Sequence, residues 1–149
     1  MGRKYYKKRV NKDHYSVEQT VVNASIQPAT TTTVVVVPDS AVQGVRKVKH
    51  LTISCQSPTD VDGVWWALVY CPEGMVPSAL NLTTGQSLYE PNQYVMNCGV
   101  FDFTSGPVRV SSRVSRNLHS GDRIYLLLYP AGGTPLAISG IVRYAISFN

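Results

Sequence analysis

Charge is scarce in this chain. Lys, Arg, Asp and Glu make up 15% of its 149 residues, against the ~25% usual in soluble domains. Much of the outer surface is therefore expected to be covered by partners. Cysteine is also sparse: Cys55, Cys71 and Cys98 are odd in number and far apart. That excludes a dense disulfide framework and fits reduced, buried thiols from an intracellular site of synthesis. Long apolar runs are missing, and the best candidates are broken at Pro38 and Pro72, so no segment reads as a membrane span. The basic amino terminus has no apolar stretch behind it and is not read as a secretory signal. The sequons at Asn23 and Asn81 would matter only in a secreted protein and are read as chance.

Catalytic chemistry is equally thin. His14, His50 and His119 are the only histidines, and no Cys/His spacing matches a zinc site. His119, Ser120 and Asp122 lie within six residues of one another in Asn117–Asp122. Neighbours on one tight turn cannot take up the three-point geometry of a triad, so the segment reads as a turn. Asp60 and Asp62 lack the later ligands of a calcium loop. Gly132-Gly133 is no phosphate-binding motif. The chain is expected not to be an enzyme and to carry no metal and no cofactor.

What the sequence does have is charge asymmetry. Residues 1–13 hold Arg3, Lys4, Lys7, Lys8, Arg9 and Lys12 against Asp13 alone, which accounts for the whole net charge of +5. From His14 onward eight basic residues balance eight acidic ones. A basic arm on a neutral body is the pattern of a protein that holds a polyanion by its tail. Six cations can displace about six condensed counterions, giving salt-dependent binding without sequence preference. Tyr5 and Tyr6 lie inside the run, placed to stack on unpaired bases. Fully extended, thirteen residues reach at most ~45 Å. The Arg3–Arg9 run also has the composition of a nuclear-import signal.

Residues 14–149 read as one domain with an all-β fold. β-rich runs separated by Pro, Gly, Asn and Asp give eight expected strands: Ser16–Ile26, Thr30–Val37, Val45–Cys55, Gly63–Cys71, Gln93–Phe101, Val108–Val114, Arg123–Tyr129 and Ile138–Phe148. The long connection from Pro72 to Pro91 is expected to be functional or packed. The fourth and seventh strands are apolar on both faces and need a second cover, from this chain's own loops or, as preferred here, from a neighbouring subunit. Trp65 and Trp66 are the candidate interface anchors, since buried aromatics dominate interfaces. Arg109 and Arg113, with Arg116, Arg46, Lys47 and Lys49, are candidates for a second basic surface. The neutrality of the body slightly favours the alternative, solvated faces balanced by nearby acids.

The segment from Tyr89 to Gly99, with Gly106-Pro107-Val108-Arg109, Ser115-Arg116-Asn117-Leu118, Ser120-Gly121-Asp122 and the closing Gly140–Ile146, resembles capsid proteins of circular Rep-encoding single-stranded DNA viruses (circovirus-like). The resemblance covers about Val45 to Asn149. It implies a single eight-stranded antiparallel jelly roll, two packed four-stranded sheets, behind a basic arm. It also implies a T=1 shell of sixty identical subunits around a circular single-stranded DNA genome, with the arm facing inward, and a virion assembled in the host nucleus. This arm is shorter and richer in lysine than the family's usual one. Satellite viruses with RNA genomes have subunits of this size, so RNA cargo stays open. A cellular single-strand-binding barrel is the other alternative.

Overall fold

The computed structural model describes residues 15–57, 63–75, 95–104, 106–133 and 135–148. The basic arm, Asp60 and Asp62, and most of the Pro72–Pro91 connection lie outside the described residues. Among the described residues every regular element is a strand: β1 (Ser16–Ile26), β2 (Thr32–Val37), β3 (Arg46–Gln56), β4 (Val64–Cys71), β5 (Val95–Phe101), β6 (Val108–Ser111), β7 (Arg116–Leu118), β8 (Arg123–Pro130) and β9 (Leu136–Phe148). The all-β expectation holds. Strand ends fall where the chain is punctuated: β2 stops before Pro38 and β4 before Pro72, because proline has no N–H to give to a ladder.

All pairing is antiparallel and forms two sheets. Sheet A has the order β1-β9-β3-β6, with β7 also on β3; sheet B has the order β2-β8-β4-β5. The expected Val108–Val114 run stops at Ser111, and the ninth strand, β7, forms beyond it at Arg116–Leu118, so the turn expected over Asn117–Asp122 is corrected at Asn117 and Leu118. Ser112 is buried, its backbone N–H donates to the Leu51 carbonyl at 2.8 Å, and its Oγ accepts from the Val114 N–H at 3.2 Å. The chain leaves the ladder there, Val114 is exposed, and pairing with β3 resumes at β7. This break matches a bulge in β3. The register jumps from Lys49↔Ala145 to Thr52↔Arg143, so His50 and Leu51 share one position opposite Tyr144. His50 takes φ 56° to do so, a left-handed conformation that histidine tolerates better than most side chains. The extra residue restores the alternation: Val48, Leu51, Ile53 and Cys55 are buried, while Lys49, Thr52 and Ser54 point away from the core.

The inner faces make one core. Val22, Ile26, Ile53, Ile138 and Val142 of sheet A join Val36, Leu68, Phe101, Leu126 and Leu128 of sheet B. Trp66 belongs to it: the ring is 3% exposed and stacks on Phe101 with centroids 5.3 Å apart. A second cluster on the far side of sheet B holds Ala67, Val69, Cys71, Tyr125 and Leu127. Ala67 and Leu127 are 0% and 1% exposed in a single copy of the chain, so their cover is intramolecular. These two side chains need no neighbouring subunit to be covered.

Two close contacts hold the frame. Gly140 of β9 faces Cys55 across the ladder, and a Cβ there would sit 2.2 Å from the Ser54 carbonyl oxygen. At the other end of the sandwich, Asp122 is buried. Its Oδ2 accepts from the Tyr70 hydroxyl at 2.6 Å and the His119 N–H at 2.9 Å, and its Oδ1 from the Glu73 N–H at 3.2 Å. Burial alone would raise the Asp122 pKa, but these donors outweigh it and hold the carboxyl below its ordinary value.

Two outcomes follow from these contacts. Gly140→Ala must displace backbone atoms of β3, and the overpacking is expected to cost about 3 kcal/mol, read as a lower urea midpoint. Asp122→Ala strands three donors and is expected to cost roughly 3 kcal/mol. Because the folded pKa of Asp122 is depressed, its contribution is fully present above the ordinary carboxylate pKa and is lost as pH falls through the folded value. Unfolding midpoints measured from pH 6 down to pH 2 should therefore fall less steeply in Asp122→Asn than in the parent chain. Equal slopes would show that this carboxylate does not carry the acid sensitivity.

Candidate nucleic-acid interface

Period-two alternation sends every second residue of β1, β9, β3 and β6 to the outside of sheet A. Pairing sets these residues in rows across the strands. One row is Gln19–Arg143–Thr52–Ser111, and the next is Val21–Ile141–Ser54–Arg109. Toward the start of β1 come Val17–Ala145–Lys49 and then Ser147–Lys47–Asn117. The face therefore carries Lys47, Lys49, Arg109 and Arg143.

No described acid shares it. Asp39 and Glu73 lie in connections, Asp102 follows β5, Asp122 is buried in the turn before β8, and Glu18 has the inward parity of β1, opposite Tyr144. Among the described residues, then, no acid stands on this face beside these cations. The one ion pair among the described residues, Arg123–Asp39 at 3.2 Å, belongs to the β8 end of sheet B.

Not every basic candidate is available. Arg46 is 6% exposed and donates to the Pro38 carbonyl at 3.0 Å and the Asp122 carbonyl at 3.3 Å. Arg116 lies over the Tyr70 ring, 4.0 Å from its centroid. Both guanidiniums are structural. Arg109 is exposed on β6, and Arg113 is exposed in the connection from β6 to β7. Arg143 was not among the sequence-based candidates. Its signal was its odd-numbered place in the closing strand, but the partners that make it a neighbour of Arg109's face appear only with the register. The arm residues Arg3, Lys4, Tyr5, Tyr6, Lys7, Lys8, Arg9 and Lys12 lie outside the described residues.

Between Arg109 and Arg143 runs a groove of about 510 Å³, floored by Thr52, Ser54 and Gly140 and walled by Val21 and Ile141. Small hydroxyl side chains make the floor low, and the guanidiniums rise beside it. Such an arrangement suits an oxyanion, because a guanidinium fork can bind two oxygens of a phosphate through parallel hydrogen bonds. Tyr15 marks where the arm joins. The Lys49 ammonium sits 3.6 Å from the centre of the Tyr15 ring, so the chain segment leading to the arm lies against the basic face.

The two tryptophans separate. Trp66 is a core residue, and its expected role as a contact for another subunit is corrected: alternation turns it inward against Phe101. Trp65 has the opposite parity and is half-buried on the outside of sheet B. Burial pushes the Cys55 thiol up to about 11, and the Cys71 Sγ donates to the Met75 carbonyl at 3.0 Å; these thiols are packing groups. Among the described residues no three His, Cys, Asp or Glu side chains are grouped to hold a metal.

No protein-family model and no curated protein matches the chain. Among solved structures it is similar to dimeric latent PorU from Porphyromonas gingivalis, with 10% identity and a TM-score of 0.41. The match covers 92% of this chain and 13% of that one.

Proposed function

We propose that this chain is a jelly-roll coat protein that self-assembles into a small closed shell and packages a single-stranded genome, DNA in the leading reading, through its basic arm. The observation that carries the reading is the strand order. β1 pairs with β9, β2 with β8, β3 with β6 and β7, and β4 with β5, and successive pairs alternate between the two sheets. A chain doubled back on itself and rolled in this way is the plan of jelly rolls, which serve viral capsids, lectins and cupins. Fold alone does not choose among these. The concentration of the net charge in residues 1–13 favours a polyanion as the partner, and the segments that resemble circovirus-like capsid proteins favour a shell of sixty copies.

In this reading Arg3, Lys4, Lys7, Lys8, Arg9 and Lys12 neutralise phosphates, while Tyr5 and Tyr6 stack on bases. The folded body supplies the contacts between subunits, with Trp65 as an anchor. Binding follows charge and single-strandedness, not sequence.

The test is negative-stain electron microscopy of purified protein, with absorbance at 260 and 280 nm before and after nuclease. Uniform shells holding nuclease-protected nucleic acid are expected, and sequencing the cargo separates DNA from RNA. Removing residues 1–13 should leave a folded body and abolish protection of nucleic acid. Packaging by the truncated protein at the level of the full chain would remove the arm from the mechanism. A species that binds single strands but never closes would replace the shell with a cellular binding module.

A further inference from the structure

The arm is not the whole of the basic surface. Lys47 and Lys49 on β3, Arg143 on β9 and Arg109 on β6 follow one another along the face, with Arg143 and Arg109 on opposite sides of β3. From strand geometry, successive α-carbons in that order are about 7, 8 and 12 Å apart. The series begins beside Tyr15, where the Lys49 ammonium holds the ring at the root of the arm. It ends at the groove between Arg143 and Arg109. No acid among the described residues interrupts it, and Val17 and Val21 beside it are 75% and 63% exposed.

We propose that the outer face of sheet A is a second single-strand-binding track, continuous with the arm, and that this face lines the interior of the shell. Two observations select the occupant. The charge is of one sign, which calls for a polyanion. Tyr15, which lies at this face, follows fourteen residues of which six are cationic, so a strand gripped by the arm would be held close to the track. The chemistry divides simply. The Arg109 and Arg143 forks bind phosphates, and Val21 and Ile141 offer apolar contact to bases. Tyr15 is the one aromatic ring shown at the track, and its face is already occupied by Lys49. Stacking is therefore a minor part of this track, and its binding is more electrostatic than that of the arm.

The inference rests on the single-strand-binding reading above, and its test separates the two. The probe is fluorescent oligo(dT), bound to the full-length chain and to the full-length double variant Arg109→Gln/Arg143→Gln, with affinity followed as a function of salt. Both side chains are exposed, so folding should be unaffected within about 0.5 kcal/mol, checked by the urea midpoint. The variant is expected to bind more weakly, with the slope of log K against log salt reduced by about 1.4, two single-strand phosphates at ~0.7 each. Photocrosslinking with iodouridine-substituted oligonucleotide should label peptides of β9 and β3 as well as the arm. Unchanged affinity and slope, or crosslinks confined to the arm, would overturn the track and leave the arm reading intact. No binding of oligo(dT) by the parent chain would overturn both. Preferential binding of a sulfated polysaccharide, lost in the double variant, would assign the face to an external glycan and overturn the inward orientation.

Discussion

The sandwich is tied at one end by a single carboxylate. Asp122 stands in the turn where the chain leaves β7 of sheet A and enters β8 of sheet B. Its oxygens take hydrogen bonds from Tyr70 on β4, from the turn itself and from the Glu73 N–H beyond β4. Its backbone carbonyl takes one from Arg46 on β3, whose other nitrogen reaches the Pro38 carbonyl beyond β2. Arg116 closes the set by lying over the Tyr70 ring. Elements from both sheets therefore meet at one buried charge. Such a group is stable only when fully partnered, so the carboxylate and its donors act as a unit.

That tie has a consequence for the charge map. Asp122, Arg46 and Arg116 are spent on structure, and Asp39 pairs with Arg123 at the other sheet. Of the other described acids, Glu73 and Asp102 sit in connections, and Glu18, exposed, has the inward parity of β1. Lys47, Lys49, Arg109 and Arg143 are left together on the outside of sheet A. Sheet B has the opposite character, with Ala67, Val69, Tyr125 and Leu127 forming a covered apolar strip. One outer face is cationic and polar, the other apolar.

Much of the fold was legible because β-branched and aromatic runs ended at Pro and Gly leave few alternatives to strands. Eight of the nine elements fall within the eight expected runs or at their edges; β7 lies outside them, partly in the Asn117–Asp122 segment read as a turn, and neither it nor the departure from the ladder at Ser112 was legible. A serine between Ser111 and Arg113 carries no sign that its N–H will bond the Leu51 carbonyl. The bulge at His50 was hidden for the same reason: it exists only relative to β9. Site residues fared according to whether their role depends on register. The arm stands out in the sequence because its charges are adjacent. Arg143 does not, since 34 positions separate it from Arg109 and the topology brings them together. Trp65 and Trp66 are indistinguishable as a dipeptide until alternation sends one to Phe101 and the other outward.

The neutrality of the body was the argument against a second basic surface, yet neutrality of the whole does not require neutrality of each face. Net charge is a sum, whereas a polyanion feels the local field, screened beyond about 10 Å at ordinary ionic strength. Eight cations and eight anions cancel in the sum, but they need not cancel on any one face. A β-sandwich sorts them efficiently. Turns favour aspartate, which can bond its own backbone, as Asp102 does with the Thr104 N–H and Asp122 with the His119 N–H. Acids drawn into turns collect away from the sheet faces. Long cationic side chains are tolerated on strand surfaces because their stems cover apolar neighbours while their heads stay in water. Turn chemistry thus helps to leave a cationic sheet face on a neutral all-β body. In the proposed reading, the same sorting would let a short arm and a neutral domain act on one strand, since the field that matters would be the one beside Tyr15.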